Sequence, residues 1–563
     1  MTFSFRPKLL DTLPGYGRGA FAGDLSAGLT VGVLALPLAM AFAIASGMSP
    51  TAGIWTAIVA GFLISALGGS RVQIGGPTGA FIPIIYAIVA DYGVQNLLVA
   101  TTMSGVMLFA MGAFRLGSMI RFIPLSVVIG FTNGIAVVIF ISQIKDFLGL
   151  KTDALPGEFF GKMRALFDAL PTLDPATLAL SLASLAVLLG WNRVAKQVAW
   201  MRRLPGPLAV LVIATAANAV LQFPVDTIGS RFGGIPRELP QIALPALSLG
   251  LLGKLIAPAL AIALLGAIES LLSARVADSQ IDDRHDPNQE LMAQGIANVA
   301  APLFGGFAAT GAIARTATNV RTGGRTPVAG MLHAAVLLVI VLAAAPLAAH
   351  IPLATLSAIV VVVSVNMGEW HAFAPSELRR YAMPYRTILL ATFFVTVVFD
   401  LTLAVELGML LASLFFIWRM SDLTRIDRVP LEEHYGVEAL ARPDGTPRIL
   451  AWRISGSLFF GAANKLEHLL LMQDGHPDAV ILDLEKVISI DTTGLDILRT
   501  LHRNLSRRGT VLVLCDLNEQ PASLIRRSGF ADAIGEANIA GNLTDALLIA
   551  QSTHARDAAV RYT

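Results

Sequence analysis

Long apolar stretches separated by short turns fill the chain from about Phe21 to Trp418. About 20 apolar residues cross a hydrocarbon core of about 30 Å. On that scale the pattern predicts membrane helices over roughly 22–46, 51–67, 96–113, 119–143, 174–190, 205–222, 255–277, 289–304, 326–346 and 351–367. The stretch 387–418 is too long for one span, since a helix of that length would run about 48 Å at about 1.5 Å per residue. Asp400 splits it into 387–399 and 401–418. Two shorter apolar pieces, about 77–90 and 310–320, each follow a Gly-Gly pair. The total is fourteen segments, two of them short.

Beyond about Leu423 the pattern changes. Charged residues return at ordinary density, as in Arg425-Ile426-Asp427-Arg428. Arg448–Ile454, Ala479–Leu484 and Val511–Cys515 read as strands, with helical stretches from about Asn464 and over Leu495–Leu505. Strands alternating with helices indicate an α/β domain. The chain therefore reads as an N-terminal segment (1–21), a membrane domain (22–420), a linker (421–434) and a C-terminal α/β domain (435–563).

Composition supports this division. Of 563 residues 55% are hydrophobic and 14% charged, against about 25% charged in soluble domains. Mean hydropathy is +0.68. A net charge of +2 gives no concentrated basic face for nucleic acid. The single cysteine, Cys515, cannot form an intrachain disulfide. The start, Met1 to Tyr16, is polar and carries no cleavable-signal pattern, so Phe21–Ala45 is expected to remain as a span. Lys and Arg concentrate at Arg115/Arg121, Arg193/Lys196/Arg202/Arg203, Arg321/Arg325 and Arg379/Arg380/Arg386. By the positive-inside rule both termini then face the cytoplasm. The loops 144–172 and 223–250 depart from the pattern, with Lys145, Lys151, Lys162, Arg164, Arg231 and Arg237.

An internal repeat marks the centre. Gly75-Gly76-Pro77-Thr78-Gly79-Ala80 opens one short segment, and Gly305-Gly306-Phe307-Ala308-Ala309-Thr310-Gly311-Ala312 opens the other, 230 residues later. Ile123-Pro124-Leu125-Ser126 and Ile351-Pro352-Leu353-Ala354 lie 228 apart. The matched offsets predict two homologous halves, about 22–222 and 255–418, of seven spans each. An odd count per half inverts one against the other, the plan of many secondary transporters. Half-helices starting at mid-membrane leave their first N–H groups unpaired. Two such N-termini make an anion pocket, with Thr78 adding a hydroxyl. The alternative reading is tight helix packing through small residues.

Intramembrane charges are the second pointer. Glu269, in Ala267-Ile268-Glu269-Ser270-Leu271-Leu272, has no basic neighbour in sequence until Arg275. It either carries a coupling proton, with Ser273 on the same helix face, or makes a structural hydrogen bond. Arg315 adds positive potential to the pocket, snorkels, or pairs with a carboxylate. Asp400 reads as a membrane-edge turn, Glu406 as a structural pair, and His333 and Asp24 as helix-end or packing residues. No G-x-x-x-x-G-K-[ST] run, G-x-S-x-G elbow or Cys/His metal spacing occurs. Neither enzyme chemistry nor a cofactor or metal is expected.

These motifs resemble the SulP anion transporters. Asp24-Leu25-Ser26-Ala27-Gly28-Leu29-Thr30-Val31-Gly32 followed by Leu36-Pro37-Leu38-Ala39-Met40-Ala41-Phe42-Ala43 is similar to their first helix. Gly75–Ala80 resembles the start of the third, Ala267–Leu272 the eighth, and Gly311-Ala312-Ile313-Ala314-Arg315-Thr316 with Asn319 the tenth. The resemblance spans the whole chain and is nearest in pattern to bacterial members of the C4-dicarboxylate type. It implies fourteen helices forming a core and a gate in two inverted repeats, working by an elevator movement. It places an anion site at Phe42, Thr78, Gly79, Ala80, Gly311, Ala312 and Ile313. Glu269 stands where a sodium-coupled bicarbonate member carries Asp, and the longer carboxylate fits proton coupling better. Leu38 replaces the Gln that animal members often carry after the first-helix proline. The loop Ile490-Asp491-Thr492-Thr493-Gly494 resembles that of a STAS domain, in which Thr492 takes the place of a phosphorylatable hydroxyl. Asp, Thr and Gly there equally suit a plain helix cap. The resemblance implies a cytoplasmic STAS domain and a homodimer in a bacterial inner membrane.

The expectation is thus a proton-coupled secondary transporter carrying sulfate or a C4-dicarboxylate. The alternatives are a sodium-coupled bicarbonate transporter and an anion channel, with a non-transporting membrane anchor further off.

Overall fold

The structure is a computed structural model. It describes residues 5–118, 124–152, 155–156, 158–195, 206–234, 240, 242, 249–399, 401–431, 442, 447–460 and 477–561. The readings placed on Arg121, Ile123, Lys196, Arg202, Arg203, Arg237, Asp400 and Asn464 lie outside the described residues. The chain divides into two compact units, Met1–Met409 and Leu410–Thr563.

The first unit is helical. Its helices are α1 (Lys8–Thr12), α2 (Arg18–Ala45), α3 (Pro50–Leu67), α4 (Ile82–Tyr92), α5 (Val94–Ala113), α6 (Leu125–Leu148), α7 (Phe159–Ala169), α8 (Pro175–Ala195), α9 (Gly206–Leu221), α10 (Ile228–Phe232), α11 (Leu249–Ile281), α12 (Pro287–Ala300), α13 (Ile313–Arg321), α14 (Val328–Ala348), α15 (Leu353–Met367), α16 (Pro375–Arg380) and α17 (Met383–Val398), and α18 (Leu401–Leu423) begins in it and ends in the second. Two short strands, β1 (Gly75–Gly76) and β2 (Thr310–Gly311), join them. Among the described residues six helices are long and apolar enough to cross a membrane by themselves, and α7 with α8 forms a pair bent by 112° that passes the same test together. Of the shorter apolar helices, α9, α14, α15 and α17 fall where the hydrophobic pattern predicted spans.

Helix boundaries differ from the apolar limits for local reasons. α6 runs on to Leu148, because Lys145 and Asp146 are good enough helix formers, and Gly149 ends it in the left-handed region at φ +67°. α11 extends past the apolar run in both directions, since Lys254 and Ser273–Ile281 tolerate helix as it leaves the apolar layer. Both α6 and α15 start after a proline at the N-cap, Pro124 and Pro352, with nearly equal backbone angles.

Close packing of the first unit uses glycine at chosen points. A Cβ at Gly28 would lie 2.8 Å from the Ala329 carbonyl oxygen, and one at Gly32 2.8 Å from Val336. The Gly28-x-x-x-Gly32 spacing therefore lets α2 and α14 touch. Asp24, wholly buried, accepts from Tyr16 Oη at 3.0 Å, Arg325 N at 2.8 Å, Thr326 N at 3.2 Å and the Thr326 hydroxyl. It fastens the turn before α14 to α2, as its packing reading expected. Tyr16, pushed up to about 12 by burial and then by the Asp24 carboxylate, remains a donor in this arrangement. His333 is buried inside α14 beside Gly61, not at a helix end.

The cations that break the Lys/Arg pattern are held locally. Lys145 donates to the Thr152 carbonyl oxygen, Arg231 pairs with Asp146 at 2.7 Å, and Arg164 with Asp168 at 3.9 Å. Lys162 lies 5.0 Å over the Tyr86 ring.

The second unit holds a five-stranded sheet in the order β3 (Arg425–Arg428), β4 (Ile449–Leu458), β5 (Ala479–Ile490), β6 (Val511–Cys515) and β7 (Ile539–Ala540). β3 is antiparallel to β4, and the other pairs are parallel. Residues 425–428, which the sequence placed in a linker, are thus the edge strand of the sheet. Their charged side chains hid the strand, because an edge needs no apolar face on its exposed positions. β5 is twice the length of its apolar run, continuing through Glu485, Lys486 and Val487 to Ile490. Apolar layers lie on both faces: Leu482, Leu498 and Phe530 on one, Ile481, Val513 and Leu547 on the other.

Candidate functional site

β1 and β2 form a two-residue antiparallel ribbon, with Gly75 opposite Gly311 and Gly76 opposite Thr310. Antiparallel chains leave such a ribbon in opposite directions. A helix starts just beyond each exit: a turn at Gly79–Phe81 leading into α4, and α13 from Ile313. Both N-termini therefore gather at the ribbon, deep in the first unit. Each presents backbone N–H groups of its first turn without an acceptor among the described residues, and each brings the positive end of a helix dipole.

On the first chain Gly76 sits at φ +142°, and a Cβ there would lie 2.8 Å from Arg315 Nη1. Only glycine meets both conditions. Thr78 follows in extended conformation as the cap residue, yet its hydroxyl caps nothing. Thr78 Oγ1 is buried without a hydrogen-bond partner among the described residues, and the residue is 9% exposed. Ala80 is buried behind it. A Cβ on Gly79 would meet Ile139 Cδ1 at 3.5 Å and the Phe42 ring at 3.7 Å. Phe42, from α2, therefore stands beside Gly79 as the sequence expected, with Ile139 of α6 as an unforeseen second wall.

The second chain is built differently. Thr310 Oγ1 meets Ser270 Oγ at 2.7 Å and reaches the Gly266 carbonyl oxygen at 3.1 Å. Gly311 N donates to Ser270 Oγ at 3.2 Å, and Ala312 N to the Ile74 carbonyl oxygen at 2.8 Å. A Cβ on Gly311 would lie 1.6 Å from Gln73 Nε2, which itself donates to the Ser270 carbonyl oxygen. Gly311 and Ala312, expected to offer N–H groups to an anion, spend them on the protein instead. The physical reason is the neighbouring Ser270 hydroxyl and Ile74 carbonyl, while the Gln73 amide fills the space that a Gly311 side chain would need. Ile313 is 38% exposed at the start of α13.

Arg315 joins the two sides. It is 2% exposed. Its Nη2 donates to the Pro77 carbonyl oxygen, just before Thr78, and its Nη1 has no partner among the described residues. No carboxylate lies within ion-pair distance of it among the described residues. The snorkelling and carboxylate-pairing alternatives for Arg315 are thereby set aside. A buried guanidinium without a counter-charge is costly unless something anionic completes it.

Glu269 is 8% exposed on α11, in the turn between Gly266 and Ser270, both bonded to Thr310. No hydrogen bond or salt bridge engages its carboxylate among the described residues. Ser273, expected beside it, instead donates to Thr316 Oγ1 at 3.2 Å, which accepts from Ile74 N at 3.0 Å. It braces α11 against α13 and β1.

Sequence reasoning missed the polar frame that holds the ribbon. Asn298 bonds both the N–H and the carbonyl oxygen of Ala309, at 2.8 and 2.9 Å. Asn319 donates to the Val72 carbonyl oxygen at 2.8 Å. Glu290, wholly buried, accepts from Gly69 N at 3.0 Å and Gln294 Nε2 at 2.9 Å. The available signal was the run of Gln and Asn at i, i+4 spacing, Glu290, Gln294 and Asn298, inside a stretch read only as apolar.

In the second unit, Asp491 Oδ1 accepts from Gly494 N at 2.8 Å and caps the helix Thr492–Arg507. Thr492 is exposed in its first turn. Asp483, Cys515 and Asp516 bring metal-ligand atom types within 4.8 Å of one another. Arg453 Nε at 2.6 Å and Glu485 N at 3.0 Å already take the two Asp483 oxygens, one each. The buried Cys515 thiol is pushed up to about 12, by burial first and then by Asp483 and Asp516, and stays protonated.

Residues 21–380 match the sequence profile of the sulfate permease family, and residues 441–546 that of the STAS domain. YvdB of Bacillus subtilis, provisionally named a sulfate transporter, is 44% identical over 525 residues, covering 93% of this chain and 96% of that one. The bicarbonate transporter BicA of Picosynechococcus is 32% identical over 495 residues, 84% of each chain. Among solved structures, the transmembrane domain of a cyanobacterial BicA superposes with a TM-score of 0.62 at 32% identity, covering 71% of this chain and 98% of that one. The murine Slc26a9 anion transporter in the inward-facing state gives 0.85 at 19% identity over 97% and 94%, a likeness of fold. These names speak of sulfate, bicarbonate and anions. The dicarboxylate part of the resemblance finds no support among them.

Proposed function

The chain belongs to the sulfate permease family and is an anion transporter of that family, not an enzyme, and we propose that it is a proton-coupled secondary transporter for a small oxyanion, sulfate first. The observation that carries this reading is Arg315, buried, tied by one nitrogen to Pro77 and without a carboxylate partner. An oxyanion beside Thr78 would accept from its free hydroxyl, from the Gly79 and Ala80 N–H groups and from Arg315 Nη1. Charge-assisted bonds of this kind are about twice as strong as neutral ones. Phe42 and Ile139 close the apolar side of the pocket.

Coupling falls to Glu269. A proton taken up there removes one negative charge from a compartment that must also accept the anion, so it offsets part of the charge that a divalent oxyanion brings beside Arg315. The site-bearing helices then move as a body against the others in an elevator cycle. The remaining parts of the proposal are fourteen spans in two inverted halves, both termini at the cytoplasmic face of a bacterial plasma membrane, and a homodimer, which rests on family resemblance alone. The near-equal proline starts of α6 and α15 and the paired β1 and β2 support the inverted halves.

A second reading, sodium-coupled bicarbonate transport, is favoured by the likeness to BicA. Uptake of radiolabelled sulfate into proteoliposomes separates the two. The proton reading expects uptake to rise with an inward proton gradient, to ignore sodium, and to lose its gradient dependence in Glu269→Gln. Sodium-dependent uptake competed by bicarbonate and untouched by Glu269→Gln would replace it. Competition by succinate would restore the C4-dicarboxylate reading.

A further inference from the structure

A cavity of about 380 Å³ runs along α4 on the far side of its N-terminus. Its wall takes in Pro83 and Ile84, one turn beyond Ala80, and continues to Asp91 and Tyr92 at the other end of the helix. At about 1.5 Å per residue that is about 14 Å of helix. Ile135 of α6 and Ala261 of α11 line it, and so does Lys162 of α7. Lys162 is only 6% exposed. Its ammonium lies 5.0 Å over the Tyr86 ring, and among the described residues no carboxylate is within ion-pair distance. Asp91 lines the same cavity from its exposed end, and Glu158 precedes Lys162 by one helical turn.

Lys162 is a buried cation without an ion pair among the described residues, in a mostly apolar cavity with Asp91 at its exposed end that begins about one turn of α4 beyond Ala80, and such a cation favours a partner of opposite sign. We propose that this cavity is the external access path to the pocket and that Lys162 is a waiting station in it for the same small oxyanion. The proposal rests on the transport reading above. The loops 144–172 and 223–250 were exceptions to the Lys/Arg distribution, and this gives one of those cations a task. Among the lining residues Lys162 is the cation that attracts an anion, set deeper than the exposed Asp91, and the cation–π contact with Tyr86 holds the ammonium between visits. An anion arriving at Lys162 weakens that contact, and passing on to Thr78 restores it.

The test is uptake of radiolabelled sulfate by the full-length protein in right-side-out vesicles, with bicarbonate and succinate run in parallel. Lys162→Gln is expected to raise the KM for external anion about fivefold, as loss of one favourable charge contact would, with kcat little changed and efflux KM unmoved. Lys162→Arg is expected to restore the low KM. Cys515 is buried and stays a thiol, so Lys162→Cys can be labelled selectively. A membrane-impermeant cationic methanethiosulfonate added outside should bring KM back down, and an anionic one should raise it further. An unchanged KM in Lys162→Gln, or equal effects of both reagents, overturns the proposal while leaving transport itself intact. Absence of uptake of all three anions by the unaltered protein would overturn the transport reading instead.

Discussion

The two short helices start from one ribbon, yet the residues leading into them dispose of their polar groups in opposite ways. Before α4, the Thr78 hydroxyl has no hydrogen-bond partner among the described residues, and no side chain caps the turn at Gly79–Phe81. Before α13, Thr310, Gly311 and Ala312 are all bonded to α11 or to β1 and its approach. What the second side contributes is Arg315, which crosses to the first at Pro77. The two ribbon exits thus divide their labour: one leaves the Thr78 hydroxyl unbonded among the described residues, while the other fixes the ribbon and supplies the charge of Arg315. Dipoles alone would have made the halves equivalent.

Arg315→Gln strikes the comparison hardest. It removes the charge that ties α13 to Pro77, and sulfate kcat/KM should fall about 100-fold, the loss of about 3 kcal/mol expected for a charged hydrogen-bonding group. Arg315→Lys should recover part of it, because a point charge lacks the second donor that reaches Pro77. An uptake assay on both variants checks this, with thermal unfolding of each to confirm folding.

Next comes the paired glycine exchange. Gly311→Ala places a methyl on the Gln73 amide and should lower stability by about 1–3 kcal/mol, as overpacking does. Gly79→Ala meets only ordinary contacts, with Ile139 and Phe42, and should leave the melting temperature where it is. Equal melting temperatures for the two variants would break the asymmetry. The smallest effect belongs to Thr78→Val. It keeps the shape and removes the hydroxyl, and sulfate affinity should drop about tenfold, the lower end of the worth of one hydrogen bond to a charged ligand. Competition binding measures it. A valine variant binding as tightly as the parent would show that the hydroxyl faces no ligand.

Much of the fold was legible because membrane spans need long apolar runs and almost nothing else does. The short segments, the proline starts of α6 and α15 and the Asp491 cap were all readable from local chemistry. The linker was misread because an edge strand such as Arg425–Arg428 can carry charge on every exposed position. The site was readable in its residue types but not in their allegiance. Gly311 looks like a ligand group and Ser273 like a partner of Glu269 in sequence, and only Gln73 and Thr316, distant in the chain, reveal what occupies them. Pairwise commitments made across more than 200 residues, such as Arg315 to Pro77 or Asn319 to Val72, leave no local pattern.

The most direct test is to see the anion. Selenate, a close analogue of sulfate with an anomalous scatterer, can be diffused into crystals of the full-length protein. The account predicts a selenium peak between the two ribbon exits, with its oxygens in hydrogen-bond range of Thr78 Oγ1 and Arg315 Nη1. A peak elsewhere, with Arg315 unmoved and still without a counter-charge, would contradict it.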